Sequence, residues 1–120
     1  MILVDTSVWV SHFRHRDLHL EMLLNDAQVM SHAFIVGELA CGNLKNRKEI
    51  LPLLRALPSA PAVDQDELLF FIEQNLLMGL GIGMVDAHLL ASAKLLGVPL
   101  WTSDRPLKRA AARLKLSYHP

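Results

Sequence analysis

The sequence predicts an α/β fold in which a small, mostly parallel central sheet is covered by helices on both faces. Two short segments, residues 1–4 and 98–102, are apolar almost throughout, as buried strands are, instead of alternating between apolar and polar residues. Segments with helical spacing of apolar residues separate the strand candidates along the chain. The chain has 120 residues, of which 52% are apolar, so it can bury a core around such a sheet. This length predicts a single domain over residues 1–120.

The strand candidates are short apolar segments that end in polar or turn residues. The two clearest strands lead directly into an aspartate, Asp5 after the first and Asp104 after the second. Weaker candidates are residues 28–31, 62–63 and 116–118. Because the carboxyl ends of parallel strands meet at one edge of a sheet, we expect the carboxylates of Asp5 and Asp104 to lie at the same edge.

The helix candidates have apolar residues at three- and four-residue spacing and begin at capping residues. Thr6 or Ser7 is expected to cap the first helix and Asp17 the second. Gly42 and Gly97 are expected to end the helices that precede them. The helices after the first are predicted over residues 17–24, 33–41, 46–57, 66–78, 84–96 and 105–114.

Two further acidic residues, Glu38 and Asp86, lie within mostly apolar helices. A carboxylate on an apolar helix face is costly unless it is paired or bound to a metal. Local alternatives stay open for all of the acids. Asp5, Asp86 and Asp104 are each placed where an aspartate caps a helix, and Glu38 can face solvent on a half-buried helix.

These residues together resemble the acidic quartet of PIN-domain nucleases. Residues 1–9, MILVDTSVW, are similar to the opening of that family, and Glu38, Asp86 and Asp104 follow in its order and approximate spacing. The likeness covers essentially the whole chain, and its short form resembles the VapC toxins of bacterial and archaeal toxin–antitoxin pairs. The resemblance implies a three-layer α/β/α sandwich, ribonuclease activity, and a small VapB-like antitoxin as partner. It also implies that the four acids, Asp5 included, are catalytic and hold a divalent metal.

Carboxylates that are brought together repel one another, which raises some of their pKa values unless a cation offsets the charge. Oxygen-only ligands suit Mg²⁺ or Mn²⁺, and the sequence leaves open whether one ion or two would bind. Thr6 and Ser103 are candidates to hold a metal-bound water or a phosphate oxygen. Hydroxyl groups at these two positions can equally cap helices.

The charge balance permits a nucleic-acid substrate without indicating one. Basic and acidic residues number 12 each, which is not the composition of a strongly basic nucleic-acid binder. Once the four site acids are set aside, 12 basic residues remain against 8 acidic ones. Three basic clusters follow the site elements and are candidates to contact RNA phosphates, with solvated helix surface as the alternative. They comprise Arg14, Arg16, Lys45, Arg47, Lys48, Arg105, Lys108 and Arg109.

The leading hypothesis is a metal-dependent endoribonuclease toxin that hydrolyses RNA with activated water. A second hypothesis is an aspartyl-nucleophile, haloacid-dehalogenase-like phosphotransfer enzyme, which also places an aspartate after its first strand. Such enzymes usually carry a second aspartate two residues later, where this chain has Ser7. A third hypothesis is a PIN-like module that binds a partner without catalysis.

The remaining expectations concern assembly and location. The apolar residues of segments 49–57 and 68–78 exceed what one small sheet covers, which predicts a homodimer. The apolar segments are too short to span a membrane, and residues 1–5 lack the basic region of a signal peptide. A lone cysteine, Cys41, fits a reducing compartment, so the expected location is the cytoplasm.

Overall fold

Four strands and seven helices make up the structure, a computed structural model that describes residues 1–120. The strands are β1 (Ile2–Val4), β2 (Val29–His32), β3 (Ser59–Ala60) and β4 (Leu100–Trp101). The helices are α1 (Thr6–Arg14), α2 (Leu18–Asn25), α3 (Ala33–Cys41), α4 (Arg47–Ala56), α5 (Gln65–Gln74), α6 (Met84–Leu96) and α7 (Arg105–Arg113).

The strands form one sheet in the order β3-β2-β1-β4, and every neighbouring pair is parallel. The central strand β1 is buried along its whole length, and its Leu3 pairs with Met30 of β2 and Leu100 of β4. Helix α3 packs on both α1 and α4, while α5 packs on α6, which also contacts β3 and β4. The predicted α/β sandwich with a small parallel sheet is confirmed.

The aspartates that follow β1 and β4 are the N-cap residues of the next helices, α1 and α7. Asp5 caps α1 by accepting a hydrogen bond from the Ser7 N–H at 3.4 Å, so the predicted cap at Thr6 or Ser7 is wrong by one or two residues. Asp104 caps α7 through the Leu107 N–H at 3.1 Å. Both aspartates at the strand ends are therefore N-caps as well as candidate site residues.

Two strand predictions near the sheet edges need correction. The edge strand β3 occupies Ser59–Ala60 and not residues 62–63, because Pro61 has no N–H to continue the ladder. The predicted strand at 116–118 is reduced to an isolated parallel bridge between Leu100 and Ser117.

The helix before the glycine-rich joint is shorter than predicted. Helix α5 ends at Gln74 instead of residue 78. Leu76 adopts a left-handed conformation with φ of 52°, which no continuing α-helix allows. The end at Asn75 is stabilised by its side-chain amide, which donates to the Phe71 carbonyl oxygen at 2.9 Å.

The core surrounds the sheet, and both tryptophans belong to it. Trp9 is 3% exposed and Trp101 is 6% exposed, so both rings are packed in the core and are not free to stack on bases. None of the helices combines the length and the apolar character that crossing a membrane would require.

A buried hydrogen-bond chain joins the start of α3 to the middle of α6. The His32 ring accepts the Phe34 N–H through Nδ1 at 3.0 Å, and its Nε2 lies 3.2 Å from the Ser92 Oγ. The Ser92 hydroxyl in turn donates to the Pro61 carbonyl oxygen at 2.8 Å. Burial, with a smaller contribution from His88, lowers the pKa of His32 below its ordinary value of 6.5. The folded protein therefore favours the neutral ring.

We expect the stability of the protein to fall as the pH drops below about 6.5. In that range the unfolded chain takes up a proton on His32, whereas the folded chain resists it, so protonation favours unfolding. Well above pH 6.5 both states are neutral and the contribution of His32 is constant. Urea unfolding near pH 7.5 and pH 5.5 measures the change, and His32→Gln should reduce it. An unaltered pH dependence in that variant would contradict this origin.

Candidate active site at the carboxyl edge of the sheet

Four acidic side chains from separate parts of the chain approach one another at the carboxyl edge of the sheet. Asp5 and Asp104 follow the adjacent parallel strands β1 and β4. Glu38 lies on α3 and Asp86 in the first turn of α6. Burial raises the pKa of Asp86, the Gly83 N–H opposes this shift, and the charges of the other three acids raise the pKa further. The structure therefore brings the other three predicted acids within electrostatic reach of Asp86.

Asp5 is the most enclosed of the four acids, with 5% of its surface exposed. Its Oδ2 atom accepts hydrogen bonds from the Ser7 hydroxyl at 2.8 Å and the Thr102 hydroxyl at 2.7 Å. It also accepts the Ser7 N–H at 3.4 Å. Because these donors all bind Oδ2, they fix the carboxylate and leave Oδ1 available to another ligand.

Ser7 and Thr102 are site residues that sequence reasoning missed. The Thr102 hydroxyl accepts the Asp104 N–H at 3.1 Å, and the Ser7 hydroxyl accepts the Ser103 N–H at 2.9 Å. The two hydroxyls, 3.2 Å apart, thus connect the ends of β1 and β4. A signal was present: Asp5-x-Ser7 and Thr102-x-Asp104 both have the two-residue spacing at which a side chain binds a nearby backbone N–H.

The two predicted hydroxyl residues lie in different surroundings. The Thr6 hydroxyl donates to Glu38 Oε1 at 2.7 Å and so connects α1 to α3 at the site. Ser103 is exposed, and it is its backbone N–H that takes part in the site, through Ser7. Thr6 is therefore placed to orient Glu38, whereas Ser103 contributes its backbone N–H.

The surroundings of Asp86 raise the pKa of its carboxyl group. It is half-buried in the first turn of α6, and its Oδ2 accepts the Gly83 N–H at 3.4 Å. The helix N-terminus favours a negative charge there. Burial nevertheless dominates, with Asp5, Asp104 and Glu38 adding repulsion, so the pKa of Asp86 is raised. A cation among the carboxylates would remove this penalty.

The chemistry of the donor set fits a hard divalent cation. Its candidate ligands are four carboxylates, and the nearby side chains add hydroxyl oxygens, which suits Mg²⁺ or Mn²⁺. No three acidic, histidine or cysteine side chains are already gathered at metal-binding distances. The charges of Asp5, Asp104 and Glu38 reach Asp86, and side-chain movement would have to complete a ligand shell.

A groove of about 710 Å³ adjoins Glu38 on the side of α1 and α4. Its lining combines apolar residues with the basic residues Arg14 and Lys45. Of the other predicted basic residues, Arg16 is paired with Glu21 at 2.8 Å, which lowers the pKa of that glutamate. Arg47 donates to the Ala40 carbonyl oxygen. The remaining ones are exposed: Lys48, Arg105, Lys108 and Arg109.

Comparison with known protein families identifies the family of the chain. Residues 2–113 match the family model of the PIN domain. The chain belongs to the PIN-domain family. This confirms the resemblance drawn from the acidic quartet, and it does not support the haloacid-dehalogenase-like alternative.

Individual PIN-family relatives agree with this assignment. The chain is 46% identical over 113 residues to "Ribonuclease VapC32" of Mycobacterium tuberculosis, covering 93% of this chain and 91% of that protein. This supports the predicted likeness to VapC proteins.

Two solved structures share the fold. PAE2754 from Pyrobaculum aerophilum has a TM-score of 0.68 at 17% identity, covering 98% of this chain and 87% of the other. FitAcB from Neisseria gonorrhoeae has a TM-score of 0.63 at 21% identity, covering 93% and 94%.

Proposed function

We propose that this PIN-domain protein is a metal-dependent endoribonuclease and the toxin of a VapBC-type toxin–antitoxin pair. The observation that carries the proposal is the arrangement of the four acids at one sheet edge. Asp5 and Asp104 follow neighbouring parallel strands and are joined through Thr102, and Thr6, which follows Asp5, donates to Glu38. Burial first, and then the charges of Asp5, Asp104 and Glu38, raise the pKa of Asp86. The 46% identity to a protein named a ribonuclease supports the same activity.

Each side chain at this edge has a role in the proposed reaction. The four acids would hold Mg²⁺ or Mn²⁺. When bound, the ion supplies a Lewis acid that lowers the pKa of water and offsets charge on the attacked phosphate. Asp5 presents Oδ1, because Ser7 and Thr102 occupy its Oδ2. Thr6 orients Glu38 through its hydroxyl.

RNA would approach across the exposed basic residues around the four acids. Arg14 and Lys45 line the groove beside Glu38, and Arg105, Lys108 and Arg109 lie on α7 next to Asp104. Phosphate contacts from these side chains would position the strand without reading its sequence. Lys48 and Arg47 would belong to the same RNA-binding surface. Arg16 would attract phosphates less strongly, because Glu21 offsets its charge.

A small VapB-like antitoxin is the partner we propose for the groove beside Glu38. Apolar residues line it, among them Val10, Phe13 and Leu39, and they could bury an apolar face of the partner. A basic side chain of the antitoxin, inserted among the acids, would offset the same charge as the metal. Occupation of this groove would therefore block both the metal and RNA. Because the proposed substrate, RNA, is found in the cytoplasm, we propose that location.

The activity is tested by RNA cleavage with the purified chain. We expect cleavage that leaves a 5′-phosphate in Mg²⁺ or Mn²⁺, and loss of cleavage when EDTA removes the metal. Readdition of Mn²⁺ should restore it. A folded protein that binds Mn²⁺ yet cuts no RNA, or one that binds no Mn²⁺ at all, would favour the non-catalytic module instead.

We also propose that the chain forms the homodimer expected from segments 49–57 and 68–78. Leu53 on α4 is 65% exposed, and α5 together with its neighbour α6 exposes more apolar side chains. Leu69 and Phe70 on α5 are 54% and 66% exposed, and Met84 and Leu95 on α6 are 61% and 64% exposed. A symmetric interface would cover these side chains. Size-exclusion chromatography with light scattering at micromolar concentration should give a dimer mass, and Phe70→Glu should give a monomer. A monomeric wild-type chain would contradict the proposal.

A further inference from the structure

The buried pair formed by His32 and Ser92 lies between the two helices that carry acids. His32 is the N-cap of α3, and Ser92 lies in the middle of α6; both are fully buried. In the neutral ring, Nδ1 accepts the Phe34 N–H, so the proton is on Nε2 and is donated to the Ser92 hydroxyl. Every polar atom of the pair is thereby used, because Ser92 donates onward to the Pro61 carbonyl oxygen.

This pair is close in sequence to the site on both helices. Glu38 follows His32 by six residues on α3, and Asp86 precedes Ser92 by six residues on α6. Six residues of helix rise about 9 Å. A second contact also joins α3 to α6. Phe34 of α3 packs edge-on against His88 of α6, with ring centroids 4.7 Å apart.

We propose that His32 is a positioning residue for the cation site. Through Ser92 it holds α3 and α6 in register, and so sets the separation of Glu38 and Asp86. A cap alone does not require a histidine, because serine, aspartate or asparagine caps a helix with a shorter side chain. The imidazole ring adds a second nitrogen on its far side. That nitrogen reaches another helix while the first one caps α3.

Two substitutions separate the cap from the link between the helices. The amide oxygen of His32→Asn lies near the position of Nδ1, so it can still accept the Phe34 N–H but does not reach Ser92. The amide nitrogen of His32→Gln lies near the position of Nε2, so it can still donate to Ser92 but caps α3 poorly. Ser92→Ala removes the same link from the other helix. Leu23→Ala is the control for stability, because Leu23 is a core residue on α2, which carries none of the four acids.

The experiment measures Mn²⁺ affinity by calorimetry at a temperature where each variant is folded. This inference rests on the proposed function, since it presupposes a cation site. We expect His32→Asn and Ser92→Ala each to raise the Kd for Mn²⁺ about tenfold, as loss of a group that orients metal ligands does. The double variant should bind no more weakly than either single one. His32→Gln, which keeps a donor to Ser92, and Leu23→Ala should bind Mn²⁺ as tightly as wild type, even where thermal stability falls.

The outcomes distinguish the two proposals. Wild-type affinity in His32→Asn and Ser92→Ala, in a chain that binds Mn²⁺ and cuts RNA, overturns the positioning role alone. Equal weakening by Leu23→Ala also overturns it, because general destabilisation would then explain the effect. Failure of the wild-type chain to bind Mn²⁺ overturns the proposed function, and the positioning role with it.

Discussion

Asp5→Asn is expected to lower kcat/KM for RNA cleavage by at least about 100-fold, since even groups that only support metal ligands cost 10- to 100-fold when lost. Asparagine keeps the size of the side chain, caps a helix as well as aspartate, and can still accept hydrogen bonds from Ser7 and Thr102. What it removes is the negative charge at the centre of the site. The loss should therefore appear in activity while the fold is retained.

The matched control is Asp26→Asn, which changes an exposed aspartate at the end of α2. It alters the net charge by the same amount and should leave cleavage within about twofold of wild type, as surface changes away from a site usually do. Initial rates with a labelled RNA at several Mn²⁺ concentrations give the comparison. Unchanged cleavage by Asp5→Asn would remove the proposed mechanism.

Asp86→Asn is expected to have opposite effects on activity and on metal-free stability. Activity should fall by at least about 100-fold, for the reason given for Asp5. In EDTA, however, the variant should melt at a higher temperature than wild type. Burial and the charges of Asp5, Asp104 and Glu38 disfavour the ionised form of Asp86, and a neutral amide is free of that penalty.

Thermal melts in EDTA and in Mn²⁺ measure this second prediction. Mn²⁺ should raise the Tm of wild type because it binds only the folded chain, and should raise that of Asp86→Asn much less. Asp26→Asn serves again as the control and should respond to Mn²⁺ like wild type. A lower Tm for Asp86→Asn in EDTA would show that its carboxylate is stabilising, contrary to the repulsion described above.

The sequence predicts those parts of the fold and of the site that depend on the local order of apolar and charged residues. The apolar strand at residues 1–4 and the one at residues 98–102 had to be buried, and parallel pairing then placed Asp5 and Asp104 at one edge. Glu38 and Asp86 were notable because each is a charge within an apolar helix. Their approach to the first two acids followed from resemblance to a family, and not from any local rule.

The features that could not be predicted depend on contacts between distant residues. The hydroxyl of Thr102 binds Asp5 only because β4 pairs with β1. The position of β3 depends on pairing with β2, which overrides the weak strand preference of residues 62–63. Likewise, the link from His32 to Ser92 spans 60 positions of the chain. Such contacts are set by tertiary packing, on which single-sequence patterns carry little information.

The most direct measurement is a Mn²⁺ titration of wild type beside four single variants: Asp5→Asn, Glu38→Gln, Asp86→Asn and Asp104→Asn. If the four acids form one cation site, the wild-type chain binds Mn²⁺ and every variant binds at least about tenfold more weakly, while Asp26→Asn binds like wild type. If the wild-type chain does not take up Mn²⁺, or if all four variants bind as tightly as it does, the acids do not act as one site.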